Sequence, residues 1–221
     1  MNDQLNPFVQ QFNDLIRECE VYISIARAHE LQIEAINRLE IMQNEIEEEK
    51  NSAIARDEDD YANLLLGCSC VARALSAELK MWVLLKKEQP EEAWDQLVAA
   101  QMASVDAVRA HEGFEHLAHH NKRLEAIEHL VFPPQVFISS GMLVREQECS
   151  ICGEEYEDCP HLVSKPYKGK FCYIIARDIE FDHASIVDEP ADKRCRVVNF
   201  SSDGITRNKM TWRAEPSKID T

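Results

Sequence analysis

Val131-Phe132-Pro133-Pro134-Gln135-Val136-Phe137-Ile138, residues 131–138, is where this chain changes character. A proline pair cannot continue a helix, and each proline pushes the residue before it out of right-handed helical geometry. Up to Phe132 there are two glycines, Gly67 and Gly113, and two prolines, Pro7 and Pro90; beyond it come four glycines, six prolines and five of the eight cysteines. Charge divides as well: residues 1–132 carry 25 acidic and 12 basic side chains, residues 133–221 carry 15 and 12. These shifts divide the 221 residues into a unit at 1–132, a second at 133–200, and a closing segment at 201–221 that reads as a strand or flexible tail.

Upstream of the prolines the apolar pattern is helical. Phe8, Phe12, Leu15, Cys19, Tyr22, Ala26, His29, Ile33 and Ile36 recur at alternating spacings of three and four, and Leu39, Met42 and Ile46 carry the stripe on. That predicts one long helix with a heptad-like seam sustained for roughly 30 residues. Glu47-Glu48-Glu49 and Asp57-Glu58-Asp59-Asp60 predict a bend or loop. Tyr61 through Trp82 then forms a second amphipathic stretch, and Pro90-Glu91-Glu92 reads as a helix start, since proline suits the first turn and acids suit the positive dipole end. Gly113 interrupts this third helix, and Phe114, Leu117, Leu124, Ile127 and Val131 line a fourth face. Such helices can bury their stripes only against one another, so an antiparallel bundle with long helices is expected. The seam is longer than that bundle needs, so part of it is expected to project or to pair with another chain.

Downstream, Val136–Ile138, Met142–Val144, Phe171–Ile175, Ala184–Val187 and Cys195–Val198 are short β-prone runs. The chain is therefore expected to be α+β, a helical bundle followed by a small β-rich domain. Strands this short make a thin core, for which a cross-link is expected. Cys149-Ser150-Ile151-Cys152-Gly153 followed by Cys159-Pro160-His161 offers one. Two residues between cysteines let both thiolates face one ion, and Gly153 supplies the backbone freedom that such a knuckle needs. Cys149, Cys152, Cys159 and His161 are the expected ligands, with Cys172 or Cys195 as an alternative to His161. An imidazole in a closed four-ligand set favours a structural Zn2+ over iron.

CSICGEEYEDCPHLVSKPYKGKFC at 149–172 and HASIVDEPADKRCRV at 183–197 resemble a small zinc-containing β module of phage-related and bacterial proteins of unassigned function. The second segment is also similar to the closing strands of phage prohead maturation proteases. The resemblance spans residues 135–200 and implies a zinc fold; it does not reach the helical part. It implies no catalytic framework here, because His183 and Ser185 lie two apart on a predicted strand without a second histidine or an oriented acid.

Other residues that could carry chemistry are fewer. His111, Glu112, Glu115, His116, His119 and His120 crowd around Gly113, and His116 and His120 are spaced to meet one ion from a single helical face. His29 reads as a core or interface histidine. Arg123 and His129 fit the loose Arg…His pattern of HEPN ribonucleases, but a six-residue offset puts them on different faces of a helix. Cys68 and Cys70 read as small core residues. Lys165, Lys168, Lys170, Lys193, Arg194 and Arg196 form a basic strip expected to meet an acidic protein surface.

The formal charge is −16, which argues against general nucleic-acid or anionic-membrane binding, above all through the helical part. No uninterrupted apolar run reaches the ~20 residues needed to span a bilayer. The opening MNDQLNPFVQQFND lacks the basic and apolar regions of a secretory signal, so a cytoplasmic location without disulfides is expected. The expectation for function is a non-enzymatic interaction or scaffold subunit of a bacterial or phage-related complex, with a protein partner or a second copy. The alternative is a HEPN-like ribonuclease or a phage-related hydrolase.

Overall fold

A computed structural model of the chain describes residues 6–215. The first helix, α1 (Pro7–Glu20), starts where Asn6 accepts a hydrogen bond from the Phe8 amide at 2.9 Å and Pro7 takes the first turn. The predicted seam does not continue as one helix. The chain reverses over Val21–Ala28, and α2 (His29–Ala55) runs back along α1, so that Glu18 pairs with Arg38 and Gln11 reaches Glu45.

The reason for the reversal lies in one side chain. Gln32 is fully buried, and its amide donates to the carbonyls of Tyr22 and Ser24 at 2.9 and 3.0 Å while its oxygen accepts from Lys86 at 2.6 Å. Carbonyls freed by the break thus find a partner away from water, which a buried carbonyl requires. The apolar spacing survives because Phe12, Leu15 and Cys19 meet the same core as Ala35, Ile36 and Leu39 from the opposite direction. The projecting seam is corrected accordingly.

Glu47-Glu48-Glu49 makes no bend either; α2 continues to Ala55, and the turn falls at Arg56–Glu58. After it, α3 (Asp59–Lys86) packs between α2 and α4 (Pro90–Ala110). Both three-residue turns end the preceding helix in the same way. Asp57 and Glu88 take left-handed φ values of 55° and 56°, and the next amide, of Glu58 or Gln89, donates 3.0 Å back to Ala53 or Leu84. Glycine ordinarily occupies this position; here the acidic stretch at 57–60 and the helix start at Pro90 marked the two breaks in the sequence instead. By length and composition α3 could cross a membrane, but 72% of its apolar window is buried inside the fold, as in the core helix of a globular protein.

Gly113 does interrupt the next stretch. A 3-10 segment at Glu112–Leu117 precedes α5 (Ala118–Val131). The Phe114 ring there lies against Gly67 of α3, where any Cβ would overlap it.

Past the proline pair, β1 (Phe137–Cys149) pairs antiparallel with β4 (Ile174–Val187), while β2 (Pro166–Tyr167) and β3 (Lys170–Phe171) form a small hairpin between them. The two predicted strands at 136–144 are one strand, and β4 includes the polar stretch Arg177–His183 that alternation alone did not mark as buried. It is not buried: the ribbon has two strands and solvent on most of its surface. Residues 195–198 form no strand, only the isolated Phe137–Arg196 bridge. The boundary at 200 falls inside β5 (Asn199–Ser202), which pairs with β6 (Ile205–Asn208).

That last hairpin leads Met210 onto the helices, where it joins Trp94, Leu97, Leu124 and Phe132 in a core that Phe137 also touches. Trp94 is only 1% exposed and makes contacts in both parts of the chain. Phe132 meets it edge-on at 5.4 Å, Phe137 stacks at 6.3 Å, the Arg196 guanidinium lies 5.7 Å over its ring, and its Nε1 donates to the Lys193 carbonyl at 3.0 Å. Around it, Arg196 pairs with Glu91, Lys193 with Glu128 at 2.6 Å, and Asn208 donates to Glu91 at 2.8 Å. The acidic surface that the basic strip was expected to meet includes the chain's own helices.

Two outcomes are expected. Replacing Trp94 by Ala costs about 3–5 kcal/mol and speeds amide hydrogen exchange in β1 and β5 together with α4. Glu88→Gly relieves the left-handed backbone and raises stability by about 1 kcal/mol in chemical unfolding.

Candidate metal centre

β1 ends at Cys149, where the chain leaves the ribbon for a 24-residue excursion and returns at Ile174, the residue that pairs with Cys149. The first turn of the excursion is a knuckle. Its Gly153 has φ +75° and donates to the Cys149 carbonyl at 2.9 Å, while the Cys149 amide donates to Glu154 at 2.9 Å. Within it, the Ile151 amide points at Cys149 Sγ at 3.4 Å. A 3-10 turn at Tyr156–Asp158 then delivers Cys159, and two residues later His161 lies edge-on to Tyr167, 4.7 Å between centroids.

The donor atoms of Cys149, Cys152, Cys159 and His161 all lie within 4.8 Å of one another, so all four sequence-predicted ligands converge. Cys149 is buried, Cys159 and His161 are half-buried and Cys152 is exposed, which puts the group at the edge of the fold. The imidazole Nδ1 of His161 is buried without a hydrogen-bond partner among the described residues. A closely set thiol group with an orphaned imidazole nitrogen fits a metal ion of the thiolate- and imidazole-binding type. Burial opposes charge on Cys149, but the amides of Cys152 and Ile151 donate to its sulfur and bring the thiol down to about 6. Burial, together with the neighbouring Cys149 sulfur, holds Cys172 up at about 11. Cys195 lies apart on the Asp192–Arg196 turn and is exposed, with its amide bonded to Asp192.

The remaining candidates do not assemble. His116 belongs to the 3-10 segment and His120 to α5, so their spacing of four does not place them on one helical face, and His116 and His119 are exposed. His29 is half-buried at the start of α2 rather than in the core. His129 is exposed on α5, whereas Arg123 turns to Glu78. Cys68 and Cys70 are buried in α3, and burial pushes their thiols up to about 12 and 11. His183 does have an acid beside it, Asp182 at 3.0 Å, but the pair is exposed and no hydrogen bond joins His183 to Ser185 among the described residues.

Sequence reasoning missed Glu78. It is fully buried in α3, and burial holds its carboxyl above the usual range against the pull of Arg123. His120 stands 3.5 Å from Glu78, and burial, aided by the Arg123 charge, lowers it from the usual 6.5 to about 4. The signal was an acid inside the otherwise uncharged run Leu75-Ser76-Ala77-Glu78-Leu79.

His120 stays neutral in the folded chain while the unfolded chain binds a proton. Stability is therefore lost as pH falls from 6.5 towards 4, by on the order of 3 kcal/mol, and His120→Gln removes that slope from urea titrations. At the metal centre, Cys152→Ser is expected to reduce metal retention in elemental analysis and to raise hydrogen exchange in residues 149–173 first. No family model matches the chain, and neither does any curated protein or solved structure.

Proposed function

We propose that the chain is a non-enzymatic interaction subunit of a bacterial or phage-related complex in the cytoplasm, with a structural zinc in its β part. The observation that carries this reading is an uncovered apolar face on the ribbon. Cross-strand pairs Ile138–Ile186, Met142–Phe181 and Val144–Ile179 lie along one face, with the uncharged Ser140–Ala184 between the first two, and the stripe ends at Glu146–Arg177. Ile186, Phe181 and Met142 are 77, 64 and 55% exposed. A two-stranded ribbon has no second layer of its own, and a contiguous apolar stripe of this kind on a charged protein marks an interaction surface.

The occupant assigned is a second copy of the chain. The stripe carries no charge except at its end, where Glu146 and Arg177 supply both signs, so that two copies can stack their ribbons about a two-fold axis without setting like charges opposite each other. A four-ligand ion has no open position for substrate, which agrees with a stapling role.

Light scattering on the purified chain at tens of micromolar is expected to give a dimer. Phe181→Asp is expected to give a folded monomer with the parent's circular dichroism, because the side chain is exposed in the single chain, and an unfolding midpoint that no longer rises with protein concentration. A parent protein that is strictly monomeric overturns the reading.

A further inference from the structure

The excursion sets a fifth sulfur beside the metal centre, outside the four donors that lie within 4.8 Å of one another but next to Cys149. Cys172 is 1% exposed, and its Sγ lies 3.8 Å from Cys149 Sγ. Sulfurs bound at ~2.3 Å to one tetrahedral ion stand about 3.8 Å apart, so this separation is the edge of a zinc–thiolate tetrahedron. We propose that Cys172, and not His161, supplies the fourth bond, which makes the site a four-thiolate centre of Cys149, Cys152, Cys159 and Cys172. The proposal rests on the zinc reading above and refines it.

The backbone supports this assignment. Cys172 donates to the Lys165 carbonyl at 2.9 Å and accepts from the Ser164 amide at 2.8 Å, which holds it from both sides. The next residue is tied to the knuckle: the Ser150 amide donates to the Tyr173 carbonyl at 3.0 Å, and the Tyr173 amide donates to Ser150 Oγ at 2.9 Å. The Ser150–Tyr173 bonds hold the Cys172 sulfur beside the Cys149 sulfur from the knuckle side, and the bonds to Ser164 and Lys165 tie it to the end of the 159–165 loop. His161, by contrast, sits on that loop with its ring edge against Tyr167.

Charge gives His161 its place. Four thiolates around a divalent ion carry a net charge of −2, which an already acidic chain stabilises only with nearby donors. The Nδ1 of His161 is buried without a partner among the described residues, and one nitrogen of the ring lies within 4.8 Å of three sulfurs, so the ring is placed to donate an N–H to one of them.

Zinc-edge X-ray absorption on the zinc-loaded full chain tests the ligand set. The expected first shell is four sulfurs at ~2.3 Å and no nitrogen at 2.0–2.1 Å, unchanged in His161→Ala. Cobalt substitution gives a second readout: the sulfur-to-cobalt charge-transfer band is expected to drop by about a quarter in Cys172→Ala and to stay whole in His161→Ala. Three sulfurs and one nitrogen in the parent protein overturn the proposal and leave the zinc reading standing. A full-length chain that binds neither zinc nor cobalt overturns both.

Discussion

The indole of Trp94 is the contact on which the arrangement of the two parts depends. An edge-on phenyl ring, a stacked phenyl ring, a guanidinium and a backbone carbonyl surround it, and they come from residues on both sides of the proline pair. An indole buried to this extent must satisfy its N–H, and the partner it finds is the carbonyl of Lys193, deep in the β part. The ion pairs around it add direction more than energy. Arg196 is nearly buried beside Glu91, and losing either partner would strand the other charge. The exposed pairs of Lys168 with Asp57 and Asp59 are worth little by comparison.

A second contact lies at the far end of the β part. The β2–β3 hairpin sets Gly169 against the α2–α3 turn: its amide donates to Asn63 at 2.9 Å, and the stem of Lys50 passes so close that a Cβ at 169 would meet it at 3.0 Å. With φ +72° the position suits glycine on both counts. The excursion that carries the candidate metal centre is therefore braced on α2 and α3, while the other end of the ribbon is braced on α4. This is why the ribbon can present a long apolar face without collapsing onto the helices.

The α+β division was legible because it rests on local chemistry, the proline pair and the shift in glycine and cysteine usage. The ligand group was legible for the same reason, since the knuckle Cys149–Gly153 writes its geometry into five consecutive residues. What stayed hidden depended on distant partners. The reversal at 21–28 relies on Gln32 and Lys86, and nothing in their spacing announces it. Cys172 and Cys195 read alike as alternatives to His161 until the fold sets Cys172 beside Cys149 and leaves Cys195 on an exposed turn. Glu78 looks like an ordinary helix acid until its depth in α3 is known. The strand lengths were underestimated because a ribbon wet on both faces keeps polar residues throughout.

The hydrogen bonds that close the excursion at Ser150 and Tyr173 involve no sulfur. Loop closure, ordinarily the slow and entropically costly part of assembling ligands that lie far apart in sequence, is accomplished here by backbone and hydroxyl groups. An ion held by the group would be captured and released by bond exchange at a rim that these bonds help to assemble. Cys152, the exposed member of the group, is the sulfur that an incoming chelator or a competing apoprotein reaches first.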